Sequence, residues 1–178
     1  MRDPRLAAQG YEGDWPPVVV GWTMTSAQKF STHEAPAWRE RSNFIVNAKL
    51  PEEGRFEQLW ARKISDDTFE VCCIPFFLYD VALGDIVRTK ESEGRKYMLD
   101  GVVEPSGHYV FRARLGRSSH SREQIVGRLT ELGTVMEWSS ATLLAIDALD
   151  LIHAQHVADF LHEQAERGQL IYETGKTA

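Results

Sequence analysis

The sequence predicts an α+β protein: a small SH3-like β-barrel or curled sheet, followed by a ferredoxin-like β-α-β-β-α-β unit, with one strand shared between them. Three observations predict it. Residues 43–115 hold six short runs rich in β-formers with turn residues between them and no helical period. After Gly116, two stretches with apolar residues at helical spacing alternate with short strand-like runs. The chain has 178 residues, 43% hydrophobic and 26% charged, the composition of a globular domain and too apolar for a disordered chain.

The first 42 residues read as an arm. Residues 1–40 carry Pro4, Pro16, Pro17 and Pro36, which oppose helix, and Trp15, Trp22 and Trp38, which a disordered tail seldom holds. Val18–Trp22 is strand-like, and the rest is extended chain laid on the body. Residues 43–107 then form the barrel part. Its strands are Phe44–Leu50, Glu57–Ile64, Thr68–Ile74, Asp85–Glu91 and Tyr97–Val103, and Tyr109–Leu115 is the sixth run. Pro51–Gly54, Ser65–Asp67, Leu83–Asp85, Glu93–Gly94 and Glu104–Gly107 supply the turns.

Residues 108–178 form the split βαβ part. In Tyr109–Leu115, Tyr109, Phe111, Ala113 and Leu115 share one face, and Arg112 and Arg114 the other. Ser121–Gln124 reads as a capping box opening a helix that carries Ile125, Leu129 and Leu132 and stops at Gly133. Val135–Trp138 and Thr142–Ile146 are strands. A second helix runs from about Asp150 to Arg167, with Ala154, Val157, Ala158, Leu161 and Ala165 on one face, and Leu170–Glu173 closes the unit.

Composition narrows the function classes. The net charge is −6, and 5 basic against 9 acidic side chains concentrate the excess in residues 116–178, which disfavours nucleic acid as partner. The apolar run Val18–Val20 is too short for a signal or membrane segment, and adjacent Cys72 and Cys73 suit no disulfide framework, so a reducing cytoplasm is expected, with no membrane partner. P-loop, dinucleotide-binding and nucleophile-elbow motifs are absent, and no second His follows His33-Glu34 or His162-Glu163 at zincin spacing. His153, His156 and His162 cannot converge on one ion at about 100° per residue, so no metal, no cofactor and no catalytic residue is assigned. Cys72 and Cys73 read as ordinary half-buried thiols.

Four residues stand as binding candidates: Trp60, Phe77, Asp85 and His108. Phe76 and Phe77 follow Pro75 and cannot both face one core, which leaves one aromatic for contact. His108 follows the turn Pro105–Gly107, where its ring either bonds the turn backbone or serves a site. Asp85 is good turn chemistry in any barrel.

In chain order, Glu57-Gln-Leu-Trp60, Ile74-Pro-Phe-Phe77, Leu83-Gly-Asp85-x-Val87 and Ser106-Gly-His108 together resemble a bacterial family of a domain of unknown function, over about Phe44 to Gly175. Asp80 stands where a small turn residue is expected, and Tyr109 where a small hydroxyl residue is expected. The resemblance implies a bacterial cytosolic protein and no mechanism.

Three functions are therefore expected, in order. The first is a non-enzymatic protein that recognises another protein, of the immunity or inhibitor kind, through an acidic helix face of Asp159, Glu163 and Glu166 that suits a basic partner. The second is a small-molecule enzyme or sensor with a pocket between the two halves, lined by the four candidates. The third is nucleic-acid binding through the Arg112/Arg114 face.

Overall fold

Alternation of inward apolar side chains builds the first sheet of the computed structural model, which describes residues 28–176. Its strands are β1 (Lys29–Ser31), β2 (Phe44–Lys49), β3 (Arg55–Lys63), β4 (Thr68–Val71), β5 (Ile86–Ser92) and β6 (Arg95–Glu104), in the order β1-β3-β2-β6-β5-β4. β4 also pairs with β3, so the sheet curls until β2 to β6 close on themselves. β1 and β4 share one edge of β3 at its two ends: Lys29–Ser31 run parallel to Arg55–Glu57, and Phe69–Val71 run antiparallel to Ala61–Lys63. Val46, Ala48, Leu59, Ala61, Phe69, Val71 and Val87 fill the interior, and Leu78 and Val81 plug it from the loop after β4. Each buried Val, Leu or Phe among them is worth about 1.5–3 kcal/mol.

The second sheet comprises β7 (Tyr109–Leu115), β8 (Val135–Trp138), β9 (Leu143–Ala148) and β10 (Leu170–Thr174), in the order β10-β7-β9-β8, with every neighbour antiparallel. Two helices, α1 (Ser119–Glu131) and α2 (Leu151–Glu166), pack on one face, where Ile125, Leu129, Ala154, Val157 and Leu161 meet Phe111, Ala113, Leu144 and Ile146. Both edges of β7 are taken by β9 and β10, so no strand is shared between the sheets. The left-handed turn at Gly107 (φ 87°) separates β6 from β7 and turns the chain into the second sheet.

The rest of the joint is a loop. Residues 72–85 lie between the sheets, where Ile74, Phe76, Ala82 and Leu83 meet Val110 and Ala145 from the sheet face opposite the helices. Residues 28–42 of the arm lie on the body through β1, buried His33 and Trp38, while the strand expected at Val18–Trp22 falls outside the described residues.

Two helix starts differ in an instructive way. Asp150 caps α2, its carboxylate accepting from the His153 N–H at 2.8 Å. The capping box expected at Ser121 does not form: α1 begins at Ser119 behind Ser118, whose side chain caps nothing, and Ser121 Oγ donates to Ser118 Oγ at 3.4 Å. Three serines within four residues offer competing starts, so the spacing to Gln124 did not decide which one is used. No helix among the described residues is long and apolar enough to cross a membrane.

Candidate functional site

Where the sheets meet, three buried carboxylates gather the loops, and each comes from a strand or turn that reads as ordinary core or turn. In β3, Glu57 lies on the same face as Leu59 and Ala61 and is fully buried. It accepts the N–H groups of Phe76 (2.6 Å) and Phe77 (3.0 Å) and faces His33 Nε2 at 3.1 Å. From β8, Glu137 accepts the N–H groups of Ala37 and Ile74, both at 2.8 Å, and faces His33 Nδ1 at 2.6 Å. His33 thus sits between two carboxylates, one from each sheet, with its ring stacked on Phe76 at 4.1 Å. Burial opposes charge on this imidazole, but Cys73, Glu137 and Glu57 at its edges outweigh it and push its pKa up to about 11. It is an imidazolium at neutral pH, fully enclosed, and acts as a structural cross-link.

The third carboxylate, Asp85, accepts from Ala82 N–H (2.8 Å) and Ser106 N–H (2.7 Å), tying the turn after Leu83 to the turn before β7. Gly84 between them has φ 82°, and a Cβ there would lie 3.1 Å from the Trp38 ring and 3.2 Å from Ser106, so only glycine fits. Asp80, where a small turn residue was expected, takes the left-handed backbone (φ 59°) that aspartate tolerates.

His108 opens out from this framework. Its N–H donates to Ser106 Oγ at 3.2 Å, and its ring turns away from the turn backbone to place Nδ1 2.8 Å from Asp147 Oδ2. The edge of Trp38 flanks it, with ring centroids 6.1 Å apart at 88°. Asp147 lies in the apolar run of β9 and is nearly sealed. Burial raises its pKa to about 6, against the pull of His108, and its Oδ1 has no hydrogen-bond partner among the described residues. The ionised carboxylate accepts from Nδ1–H, and in the neutral imidazole that tautomer leaves the lone pair on Nε2.

His108 lines a cavity of about 100 Å³ between the sheets, walled by Val81, Ala82 and Val102 on one side and Val110 and Gly175 on the other, with Asp85 and Lys176 at its polar margin. Both oxygens of Asp85 are engaged by backbone, and Lys176 lies over the Tyr109 ring at 4.5 Å; His108 is the imidazole of a lining that also includes the Asp80 carboxylate.

Of the four binding candidates, the structure brings Asp85 and His108 together and sets the other two apart. Trp60 donates from Nε1 to the His33 carbonyl at 3.0 Å and lies under Arg39. Phe77 lines a separate groove, while Phe76 is buried on His33. A single pocket holding all four is therefore not what forms, because β3 carries Trp60 to the arm side of the barrel. The Arg112/Arg114 face is also corrected. Arg112 is 3% exposed, spent on the Leu78 carbonyl, on Glu173 (3.1 Å) and on the Tyr79 ring, so it is no part of a free basic surface.

Asp159, Glu163 and Glu166 are exposed on α2, but each has a local partner: Gln155 at 2.7 Å, Arg167 at 2.5 Å and His162 at 3.6 Å. Cys72 and Cys73 are fully buried rather than half-buried; burial, reinforced by Glu70, pushes the Cys72 thiol up to about 12. Among the described residues no group of three His, Cys, Asp or Glu side chains is placed to hold a metal.

The sequence reading missed His33, Glu57, Glu137 and Asp147. The signal that finds Glu57 and Asp147 is an acid within a run of inward apolar residues, Glu57 in step with Leu59 and Ala61, and Asp147 inside Leu144–Ala148; His33 and Glu137 carry no such signal.

In fold, the chain is similar to the crystal structure of a hypothetical protein from Neisseria gonorrhoeae: the TM-score is 0.61 at 16% sequence identity, over 74% of this chain and 94% of that one. No curated protein matches. A family model does match residues 57–172, a span that holds Glu57, Asp85, His108, Glu137 and Asp147, and the chain belongs to that family, described as Domain of unknown function (DUF4265).

Proposed function

We propose that the protein binds a small polar ligand in the cavity between its two sheets, with Nε2 of His108 accepting a hydrogen bond from it. The observation that carries this reading is that His108, which lines the cavity, pairs with a buried, half-satisfied Asp147 that does not. Buried carboxylates that fix one nitrogen of an imidazole and leave the other free are a recurrent device for presenting a base. At about 100 Å³ the space suits a headgroup of a few heavy atoms, since a cavity of roughly 150 Å³ takes benzene.

The test is a thermal-shift panel of small amines, alcohols, amides and carboxylic acids at pH 7.5. Compounds with a donor group should raise Tm in the native chain and lose the effect in both His108→Ala and the cavity-filling Val102→Phe. Shifts that survive both substitutions, or a panel with no shift at all, would count against the reading.

The same reading takes the curled first sheet as an SH3-like barrel over 43–107, the second as a ferredoxin-like unit over 108–178, and residues 1–42 as the arm. The order β10-β7-β9-β8 with both helices on one face supports the second assignment. It also takes the E-x-L-W, I-P-F-F, L-G-D and S-G-H segments as the family's signature; their support is that Glu57 holds the second and Asp85 joins the third to the fourth.

A second reading, recognition of a basic protein partner of the immunity or inhibitor kind, is favoured by one surface feature. Leu149, Leu151 and Ile152 are 61, 66 and 72% exposed at the start of α2, beside the acidic face. Ile152→Glu, combined with lysine at 159, 163 and 166, should abolish a stable complex with such a partner; an unchanged complex would remove this reading.

A further inference from the structure

The face of the second sheet opposite the helices is covered by the 72–85 loop over part of its width and left open over the rest. At that open part lies a groove of about 290 Å³, lined by Phe76, Phe77, Arg114, Leu143, Ile171 and Tyr172, with Arg112 and Glu173 at its margin. Its walls are mainly apolar, and its volume is close to the lower bound of ordinary ligand pockets. The aromatic wall is fixed before any ligand arrives, because Glu57 holds the backbone N–H groups of both Phe76 and Phe77. Ile171 on the edge strand β10 is 68% exposed, a large apolar cost on a strand edge that nothing among the described residues covers.

The charges at the groove differ in availability. Arg112 is committed to the Leu78 carbonyl and to Glu173, and Glu173 also accepts from the Tyr79 hydroxyl at 2.9 Å. The guanidinium of Arg114, exposed on the same face of β7, makes no hydrogen bond or ion pair among the described residues. An apolar trough with one uncommitted guanidinium is complementary to an apolar body that ends in a carboxylate, which Arg binds bidentately.

We propose that this groove is a second binding site, separate from the His108 cavity, for an apolar or aromatic carboxylate of roughly bicyclic size. The ring lies against Phe77, Leu143 and Ile171, and the carboxylate meets Arg114. The neutralised charge and the covered Ile171 supply the affinity, and neither depends on His108.

The experiment is an NMR titration of the full chain with 2-naphthoate and with the neutral 2-naphthalenemethanol. The naphthoate should perturb the amides of Phe77, Arg114 and Ile171, and bind at least tenfold more tightly than the alcohol. Arg114→Gln, a surface change whose folding is checked by its amide spectrum, should erase that difference, and Arg114→Lys should restore part of it. Equal binding of the two probes, perturbation confined to residues around His108, self-association without ligand contact, or no perturbation at the groove would each overturn the proposal.

Discussion

Asp147 shows how one side chain sets both a cost and a capability. Burial raises its pKa from 3.8 to about 6, so the folded state holds this proton more tightly than the unfolded chain does. The associated stability is fully present below about pH 4 and is lost as pH rises through 6, with a slope of at most about 1.4 kcal/mol per unit. Asp147→Asn keeps an acceptor for His108 Nδ1 and removes the titration. Urea denaturation should find it more stable than the native chain by on the order of 1–3 kcal/mol at pH 7.5 and nearly equal at pH 4. Asp147→Ala also removes the titration but strands the ring N–H, and should lie about 1–3 kcal/mol below Asp147→Asn at both pH values. The buried thiols lead to a separate expectation. With Cys72 pushed up to about 12 and Cys73 sealed, neither should react with a thiol reagent at pH 8 until urea unfolds the chain, and fast labelling of the folded protein would contradict the assigned burial.

At the scale of elements, the loops matter more than the strands. Most strands follow from alternation: Tyr109–Leu115 is reproduced and β2 ends one residue short of the expected Leu50, but β4 stops at Val71 instead of Ile74, and β1 at Lys29–Ser31 was not expected. What alternation cannot show is where a loop goes. The 72–85 loop is placed by acids that accept its backbone N–H groups, and a backbone partner leaves no pattern in the sequence. The turn at Gly84 is the sharpest point of that framework, and Gly84→Ala meets both an unfavourable φ and the Trp38 ring. It should lower stability by roughly 1–3 kcal/mol and loosen His108, read as a changed ring resonance at unchanged secondary structure. At α2, Asp150→Ala removes a formed cap and should cost about 1 kcal/mol, whereas Ser121→Ala in α1 should cost little, because no cap is lost there.

For the whole molecule, His33 is the piece that makes two sheets and an arm cohere. Its ring lies between Glu57 of the first sheet and Glu137 of the second, and all three side chains are buried. A pKa near 11 in the folded state, against 6.5 unfolded, means that its contribution is complete below about pH 6.5 and fades as pH climbs towards 11. Stability should therefore decline between pH 7 and 10 in the native chain and stay flatter in His33→Gln. That variant leaves two buried carboxylates without their cation and should lose roughly 3–5 kcal/mol. The fold class was legible because periodicity is local. The joint was not, because His33 and Glu137 are 104 residues apart and neither sits in a motif with chemical meaning of its own. His108 was legible as a candidate from its turn, but its partner Asp147 lies 39 residues away in an apolar strand, and Trp60 and Phe77 were grouped with it only by their order along the chain. Whether His108 presents a free Nε2 to the cavity is read from the nitrogen-15 spectrum of its ring at pH 7.5. A proton on Nδ1, held by Asp147, and an unprotonated Nε2 whose resonance moves when a donor ligand from the panel binds are expected; a ring protonated on Nε2 alone, or an Nε2 resonance indifferent to every such ligand, would overturn the proposed function.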